Sequence, residues 1–201
     1  MRIALIGDSH SQALWPRVKP ELERAGHVVV LQEANPGWSE AKYLSSGGLQ
    51  AKLQASKPDL VVYELGGNNM KMDAAGYNSD AAALIQTAKN SSASVLWLGP
   101  PTSNAAVDPS TASRHEATAN IQARLLPSMG VSWVDSRPYT LAHQRSDGVH
   151  FDTFGYDNWA KNVLPSILAG GTGLSTKTLW LGVGGASAAA LLLLLLWRRN
   201  H

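Results

Sequence analysis

The sequence contains no cysteine. This absence excludes disulfide bonds, thiolate metal sites and a cysteine nucleophile. An excess of charge is also missing, because 17 lysines and arginines stand against 15 aspartates and glutamates. Such a balance gives no support to a polyanionic partner, and we expect no binding of nucleic acid. A chain of 201 residues suffices for one domain with its own core and is short for two.

Charged residues are absent from one long segment, Thr178–Trp197, which ends in six leucines and a tryptophan. At 1.5 Å per residue, a helix of this length reaches roughly 30 Å, the hydrocarbon thickness of a bilayer. Arg198 and Arg199 follow as a charged stop. The pattern predicts a transmembrane helix over residues 178–197 and a short basic tail over 198–201. The alternative is a buried helix of a soluble core, which is seldom apolar all round over such a length.

The remaining sequence predicts one globular domain over residues 1–169 and a flexible, glycine-rich linker over 170–177. No long apolar run with a cleavage site follows Met1, so we expect no signal peptide and favour a cytoplasmic domain. The positive-inside rule, applied to the two terminal arginines, favours the opposite orientation. The expected localisation is therefore a single-pass membrane protein whose orientation stays open.

Five short apolar runs alternate with segments of helical character, which is typical of a parallel sheet covered by helices on both faces. The predicted strands are Ile3–Ile6, Val28–Gln32, Leu60–Tyr63, Val95–Leu98 and Val131–Val134. The predicted helices are Pro20–Ala25, Ser79–Lys89, Ser113–Leu126 and Phe154–Leu168. The pattern therefore indicates the α/β class.

Ligands of open α/β sheets bind beyond the carboxyl ends of the strands, so the loops that follow the strands are the place to look for function. Four of these loops are polar and rich in glycine. They are Gly7–Ser11, Asn35–Ser39, Gly66–Asn69 and Asp147–His150. We expect them to meet at one edge of the sheet.

These loops contain the parts that nucleophilic catalysis by serine requires: a hydroxyl, a base, an acid that orients the base, and donors for the oxyanion. Ser9 is the candidate nucleophile, His150 the candidate base and Asp147 the candidate acid. The candidate oxyanion donors are the backbone N–H of Ser9, the backbone N–H of Gly37 and the side-chain amide of Asn68. Taken alone, each of these segments also suits an ordinary turn or helix cap.

Two further side chains are candidate substrate contacts: His10 beside Ser9, and Trp38 beside Gly37. Trp38 is equally explained as a cover for the sheet edge. Glycine at positions 37 and 66 would allow the backbone to approach a substrate closely.

Metal and nucleotide chemistry are the competing interpretations of the same loops. Carboxylates and imidazoles both ligate metals. The possible ligands are Asp8, His10, Asp147 and His150. Because a serine and oxyanion donors are present, we favour serine chemistry and expect neither a metal nor a cofactor. The first loop lacks Gly-x-Gly-x-x-Gly and Gly-Lys-Ser/Thr, which argues against nucleotide binding.

The four loops resemble, in order, the sequence blocks of the SGNH (GDSL-like) hydrolases. The matching features are Gly7-Asp8-Ser9, a lone glycine in the second loop, Gly66-Gly67-Asn68-Asn69, and Asp147-Gly148-Val149-His150 followed by Gly155-Tyr156. The resemblance implies a three-layer α/β/α, flavodoxin-like fold with a five-stranded parallel sheet, and metal-free hydrolysis of esters or thioesters. Asn69 departs from the family, which usually has aspartate there.

The resulting hypothesis is a membrane-tethered serine esterase that cleaves acyl or acetyl esters through an acyl-enzyme intermediate. Short loops without a large insertion favour a shallow site for small acyl groups on a glycan or lipid carrier. One alternative is an acyltransferase on the same fold. Another is a non-catalytic structural or binding component of a membrane-containing assembly. The sequence gives no prediction of the oligomeric state.

Overall fold

A computed structural model of the chain describes residues 1–70 and 74–170. Five strands alternate with six α-helices along these residues. The strands are β1 Arg2–Gly7, β2 Val28–Ala34, β3 Leu60–Glu64, β4 Ser94–Leu98 and β5 Ser132–Val134. The helices are α1 Ser11–Arg24, α2 Glu40–Ser45, α3 Leu49–Ser56, α4 Ala74–Lys89, α5 Pro109–Ser128 and α6 Thr153–Leu168. A 3₁₀ turn, Arg137–Tyr139, follows β5.

All strand pairs are parallel, and the order across the sheet is β2-β1-β3-β4-β5. The five predicted strands and the parallel sheet are therefore confirmed. The chain leaves β1 toward β2 on one side and then crosses to β3 on the other. Such a change of direction opens a crevice at the carboxyl ends of the two central strands. In β1, Gly7 pairs with Ala34 of β2 and with Glu64 of β3, so these three strands end at the same level.

Alternate strand residues build two cores, one on each face of the sheet. Ile3 and Leu5 of β1 pack with α1 and α6, whereas Ala4 and Ile6 pack with α2, α3, α4 and α5. Continuous apolar strands are what burial on both faces requires. The edge strand β2 is the exception, because its residues are exposed or half-buried.

The predicted first helix, Pro20–Ala25, is wrong in extent. Helix α1 spans Ser11–Arg24 and holds Pro16 and Pro20 in its interior. An interior proline costs a helix about 3 kcal/mol. The buried stripe of α1 offsets this cost, since a fully buried large apolar side chain contributes roughly 1.5–3 kcal/mol. That stripe consists of Leu14, Trp15, Val18 and Leu22. Tertiary packing therefore overrides local propensity here.

Two helices between β2 and β3 were not predicted, because α2 and α3 are only six and eight residues long. A segment of one or two turns is too short to display helical periodicity. Ser39 marks the start of α2, where its side chain accepts a hydrogen bond from the backbone N–H of Lys42 at 3.4 Å. Helix α5 begins earlier than predicted, at Pro109, and is capped by the Asp108 side chain.

The predicted transmembrane helix and all of the predicted linker except Gly170 lie outside the described residues. Within residues 1–70 and 74–170, no helix combines the length and the apolar character needed to cross a bilayer. The last described residue, Gly170, lies against Met1, because a Cβ at Gly170 would stand 3.1 Å from the Met1 sulfur. Helix α6 therefore starts beside the His150 loop and ends at the opposite edge of the sheet, where β1 begins.

Candidate active site

Ser9 occupies the turn between β1 and α1, at the carboxyl edge of the sheet. The carbonyl of Ser9 accepts a hydrogen bond from the N–H of Gln12 at 3.3 Å, which joins the turn to the first turn of α1. A buried strand thus ends two residues before Ser9, and a helix begins two residues after it. The positive end of a helix dipole stabilises negative charge that develops nearby.

The structure brings Ser9, His150 and Asp147 into one hydrogen-bonded chain. The Ser9 Oγ lies 3.0 Å from His150 Nε2, although the two residues are 141 positions apart. On the other side of the ring, His150 Nδ1 lies 2.9 Å from Asp147 Oδ2. A carboxylate only accepts, so Nδ1 carries the proton and Nε2 presents its lone pair to the Ser9 hydroxyl.

Asp147 is held in its ionised form. Burial raises its pKa, but the backbone N–H groups of Val149 and His150 and the imidazole of His150 lower it to about 2. Both backbone donors reach Oδ1, at 2.8 and 2.9 Å, which leaves Oδ2 for the imidazole. The carboxylate therefore fixes the orientation of the His150 ring over the whole neutral pH range.

The turn that carries Asp147 and His150 is packed against the loop between β4 and α5. Gly148 has φ +71°, and a Cβ there would stand 2.7 Å from the Cβ of Val107. The carbonyl of Gly148 accepts a hydrogen bond from Asn104 N–H at 2.7 Å. Glycine at this position serves both the turn conformation and the close packing.

His10 was expected as a candidate substrate contact, but its side chain is only 2% exposed. Its Nδ1 lies 3.2 Å from the Tyr156 hydroxyl, and its ring centroid lies 5.0 Å from that of His150. Burial lowers its pKa well below the usual range. A neutral His10 therefore packs behind His150 and presents almost no surface to a substrate.

Asn68 lies in the turn after β3, close to the two loops that follow β1 and β2. Its Nδ2 donates to Asp8 Oδ2 at 2.8 Å and lies 3.4 Å from the backbone carbonyl of Trp38. The second distance is long for an N–H···O bond. The loop of Gly37 and Trp38 is thereby placed beside Asn68. The Trp38 ring packs on Tyr43 at 4.8 Å between centroids and is half-buried against the core. Its contact with a substrate stays a prediction.

Gly66 has a different role from the one expected, which was close approach of backbone to a substrate. Its φ is +126°, and a Cβ there would stand 2.6 Å from Gln122 Nε2 and 3.0 Å from Thr118 Cγ2. Both contacts belong to α5, in the interior. Glycine is therefore required at position 66 for packing beneath the Asn68 turn. At Gly37, by contrast, a Cβ would meet no atom within 4 Å, and the positive φ of +74° is the only constraint.

Two buried carboxyl groups lie under the Ser9 turn: Asp8, which the sequence suggested only as a possible metal ligand, and Glu64, which sequence reasoning missed. They are 1% and 0% exposed. Burial raises the pKa of Asp8 to about 6 and that of Glu64 well above its usual range. A signal was present: Glu64 directly extends the apolar run Leu60–Tyr63, where an acidic residue is out of place.

A third buried acid, Glu40, lies at the start of α2 and is 1% exposed. Its Oε1 accepts a hydrogen bond from the Tyr77 hydroxyl at 2.9 Å, and burial raises its pKa to about 7. Tyr77 in turn accepts a hydrogen bond from Gln122 Nε2 at 2.7 Å. This acid therefore belongs to an interior network that connects α2, α4 and α5.

The alternative use of Asp8, His10, Asp147 and His150 as metal ligands does not fit this geometry. Asp8 accepts hydrogen bonds from Asn68 and from the backbone N–H of His10, and the His10 ring is directed to Tyr156. Among the residues that the structure describes, no group of three or more potential ligands is arranged around a common point.

The fold and this site define a class: a parallel α/β protein with a hydroxyl, an imidazole and a carboxylate aligned at the carboxyl edge of its sheet, as in serine hydrolases. Residues 5–158 match the sequence model of the GDSL-like lipase/acylhydrolase family. The chain belongs to this family and is an esterase of the SGNH type. No match was found among curated protein sequences.

Solved structures support the same fold. A lipase/acylhydrolase from Enterococcus faecalis is 20% identical, with a TM-score of 0.69 over 84% of this chain and 95% of that one. The aryl esterase of M. smegmatis is 16% identical, with a TM-score of 0.70 over 84% and 99%. An acetyl xylan esterase, AlAXEase, is 19% identical, with a TM-score of 0.68 over 83% and 100%. At these identities the likeness establishes the fold.

The packing of Gly66 predicts that Gly66→Ala lowers the free energy of unfolding by roughly 2–5 kcal/mol, from backbone strain and overpacking together. Gly26 is the matched control, because its φ is +81° and a Cβ there would meet nothing within 4 Å. Gly26→Ala should cost only about 1–2 kcal/mol. Urea unfolding of both variants measures the difference. Equal losses would contradict the packing role of Gly66.

Proposed function

We propose that this esterase cleaves acyl or acetyl esters with Ser9 as nucleophile, His150 as general base and acid, and Asp147 as the group that orients His150. The observation that carries the proposal is the continuous chain of contacts from Ser9 Oγ to His150 at 3.0 Å and from His150 to Asp147 at 2.9 Å. Serine catalysis requires these groups within hydrogen-bond reach.

The reaction proceeds in two halves. His150 Nε2 takes the Ser9 proton as Oγ attacks the ester carbonyl, and the same proton then passes to the departing alkoxide. The acyl group stays on Ser9. A water molecule next gives its proton to His150 and attacks the acyl carbon, and His150 returns the proton to Ser9 Oγ as the acid leaves. Asp147 stabilises the imidazolium in both halves.

The oxyanion of each tetrahedral intermediate would be met by the backbone N–H groups of Ser9 and Gly37 and by the amide of Asn68. Among the described residues, neither backbone N–H has an acceptor within the chain. Asn68 commits one amide hydrogen to Asp8 and leaves the other on a long contact with the Trp38 carbonyl. A stronger, charged acceptor would take that hydrogen.

Exposure of the site favours water as the acyl acceptor. The side chains of His150 and Asp147 are 35% and 50% exposed. Enzymes that transfer a reactive acyl group to another acceptor keep water out. A site this open favours hydrolysis over acyl transfer, and it suits a short acyl group, such as acetyl, on a larger carrier.

We also propose that residues 178–197 anchor the esterase in a membrane. The segment contains no charged residue over a length that suffices to span the hydrocarbon layer. Gly170, the last described residue, lies beside Met1, at the edge of the sheet opposite Ser9. The described domain therefore leads toward the anchor at the edge away from the site, which suits a bulky carrier such as an acetylated glycan or a lipid head group.

The proposed triad predicts that Ser9→Ala and His150→Ala each lower the turnover of p-nitrophenyl acetate by roughly 10⁴-fold or more. Because the two groups act as one unit, the double variant should lose little beyond either single variant. Asp147→Asn should keep a small residual rate. Steady-state kinetics of the four variants tests this, with circular dichroism as the control for folding. Multiplicative losses would contradict a shared mechanism.

The oxyanion role predicts that Asn68→Ala lowers kcat by roughly 10²–10³-fold and changes KM little. The reason is that the amide gains its strong acceptor only in the transition state. Initial rates over a range of ester concentrations separate the two constants. A rise in KM at unchanged kcat would make Asn68 a ground-state binding residue instead.

The anchor predicts that a variant ending at Gly171 is soluble without detergent and hydrolyses p-nitrophenyl acetate with the kcat/KM of the full chain. The full chain should sediment with membranes after an alkaline carbonate wash, as integral proteins do. Aggregation or unfolding of the shortened variant would place the leucine run in the domain core. Release of the full chain by carbonate would show that residues 178–197 contact the membrane only peripherally.

A further inference from the structure

Two carboxyl groups lie against each other beneath the Ser9 turn, and the mechanism above uses neither. Glu64 pairs with Gly7, the chain neighbour of Asp8, so the two buried side chains are adjacent, and a hydrogen bond between them contributes to the pKa shifts of both. Neighbouring buried carboxyl groups do not both ionise, because mutual repulsion adds to the cost of burial. The pair therefore shares one proton.

The hydrogen bonds around the pair indicate which carboxyl group holds that proton. Asp8 accepts from the N–H of His10 at 2.9 Å and from Asn68 Nδ2 at 2.8 Å, which favours its ionised form. Glu64 Oε2 accepts from the Ser11 hydroxyl at 2.8 Å. Glu64 Oε1 is buried and receives no donor from the described residues. The Asp8 backbone N–H also donates to the Glu64 carboxyl group, but burial and the charge of Asp8 outweigh it. The shared proton therefore belongs on Glu64, which donates it to Asp8.

The pKa shifts of the two carboxyl groups agree with this assignment. Burial raises the pKa of Glu64 far above its usual range, and the negative charge of Asp8 raises it further. For Asp8, the donors His10 N–H and Asn68 partly offset burial, and its pKa is raised only to about 6. Glu64 is therefore the member of the pair that stays neutral.

Two glycines make room for this arrangement. A Cβ at Gly7 would stand 1.7 Å from Ser11 Oγ, the hydroxyl that donates to Glu64. A Cβ at Gly67 would stand 3.2 Å from Asp8 Oδ2, the oxygen that accepts the Asn68 amide. Larger side chains at either position would displace the contacts on both sides of the acid pair.

We propose that Glu64 is a positioning residue for the reaction: its neutral carboxyl group donates a hydrogen bond to Asp8, and the ionised Asp8 in turn fixes the Asn68 amide toward the oxyanion. Asp8 holds one hydrogen of the amide, so the plane of the amide is set, and the second hydrogen, on its long contact with the Trp38 carbonyl, is left for the oxyanion. This inference rests on the proposed oxyanion role of Asn68 and extends it into the interior of the protein.

The test uses replacements that differ in whether they can donate. Glu64→Gln keeps a donor for Asp8 and an acceptor for Ser11, so kcat should stay within about threefold of the parent. Glu64→Ala removes the donor, and kcat should fall about tenfold or more at little-changed KM. Asp8→Asn places a second amide against Asn68 and should lower kcat nearly as far as Asn68→Ala.

The decisive comparison is made in the Asn68→Ala background with p-nitrophenyl acetate. If Glu64 acts through Asn68, Glu64→Ala should change kcat there by less than about twofold. Glu40→Ala is the matched control, because Glu40 is an equally buried acid whose carboxyl group bonds Tyr77. Introduced into the parent protein, Glu40→Ala should lower the melting temperature and leave kcat unchanged.

Each of the following outcomes would overturn the inference. Equal losses from Glu64→Gln and Glu64→Ala would show that a neutral donor is not what position 64 supplies. A full tenfold loss in the Asn68→Ala background would show that Glu64 acts by another route. If Glu64→Ala does not fold, the other two variants still test the proposal. An unchanged kcat in Asp8→Asn would contradict it, and so would a large loss of kcat in Glu64→Gln. Failure of the catalytic proposal itself is distinguishable, because activity would then survive Ser9→Ala.

Discussion

The register of β1 between β2 and β3 is the constraint on which the site depends. Gly7 pairs with Ala34 on one side and with Glu64 on the other, so three parallel strands end at one level. The loops that follow must then share the same small space. Ser9, the turn of Gly37 and Trp38, and Asn68 are adjacent for this reason. A slip of one residue in either pairing would turn the strand's side chains to the opposite face.

The site has two halves with different physical environments. The half formed by Asp8, Glu64 and Asn68 is largely buried, and its polar groups are held by one another. The half formed by Asp147 and His150 is substantially exposed and is held by backbone hydrogen bonds within a tight turn. Ser9 lies between them. In the proposed mechanism the buried half would stabilise the oxyanion, and the exposed half would let water reach the acyl-enzyme.

Much of this architecture could be predicted from the sequence, because it depends on continuous apolar runs and on glycine-rich loops after them. All five strands followed from the apolar runs, whereas the contacts of Ser9 with His150 and of His150 with Asp147 were expected from the resemblance of the loops to the SGNH sequence blocks. The extent of α1 could not be predicted, since burial of residues such as Trp15 outweighs Pro16 and Pro20. The link between Asp8 and Glu64 was equally hidden: it is created by strand register, and sequence alone does not specify which acids become buried neighbours.

The central claim is that Ser9 is a nucleophile activated by His150. The most direct measurement is reaction of the folded protein with a fluorophosphonate probe, followed by peptide mapping of the modified residue by mass spectrometry. The account predicts a single phosphonylated serine, Ser9, with labelling lost in Ser9→Ala and strongly slowed in His150→Ala. Labelling of another serine, or equal labelling of Ser9 with and without the His150 imidazole, would contradict it.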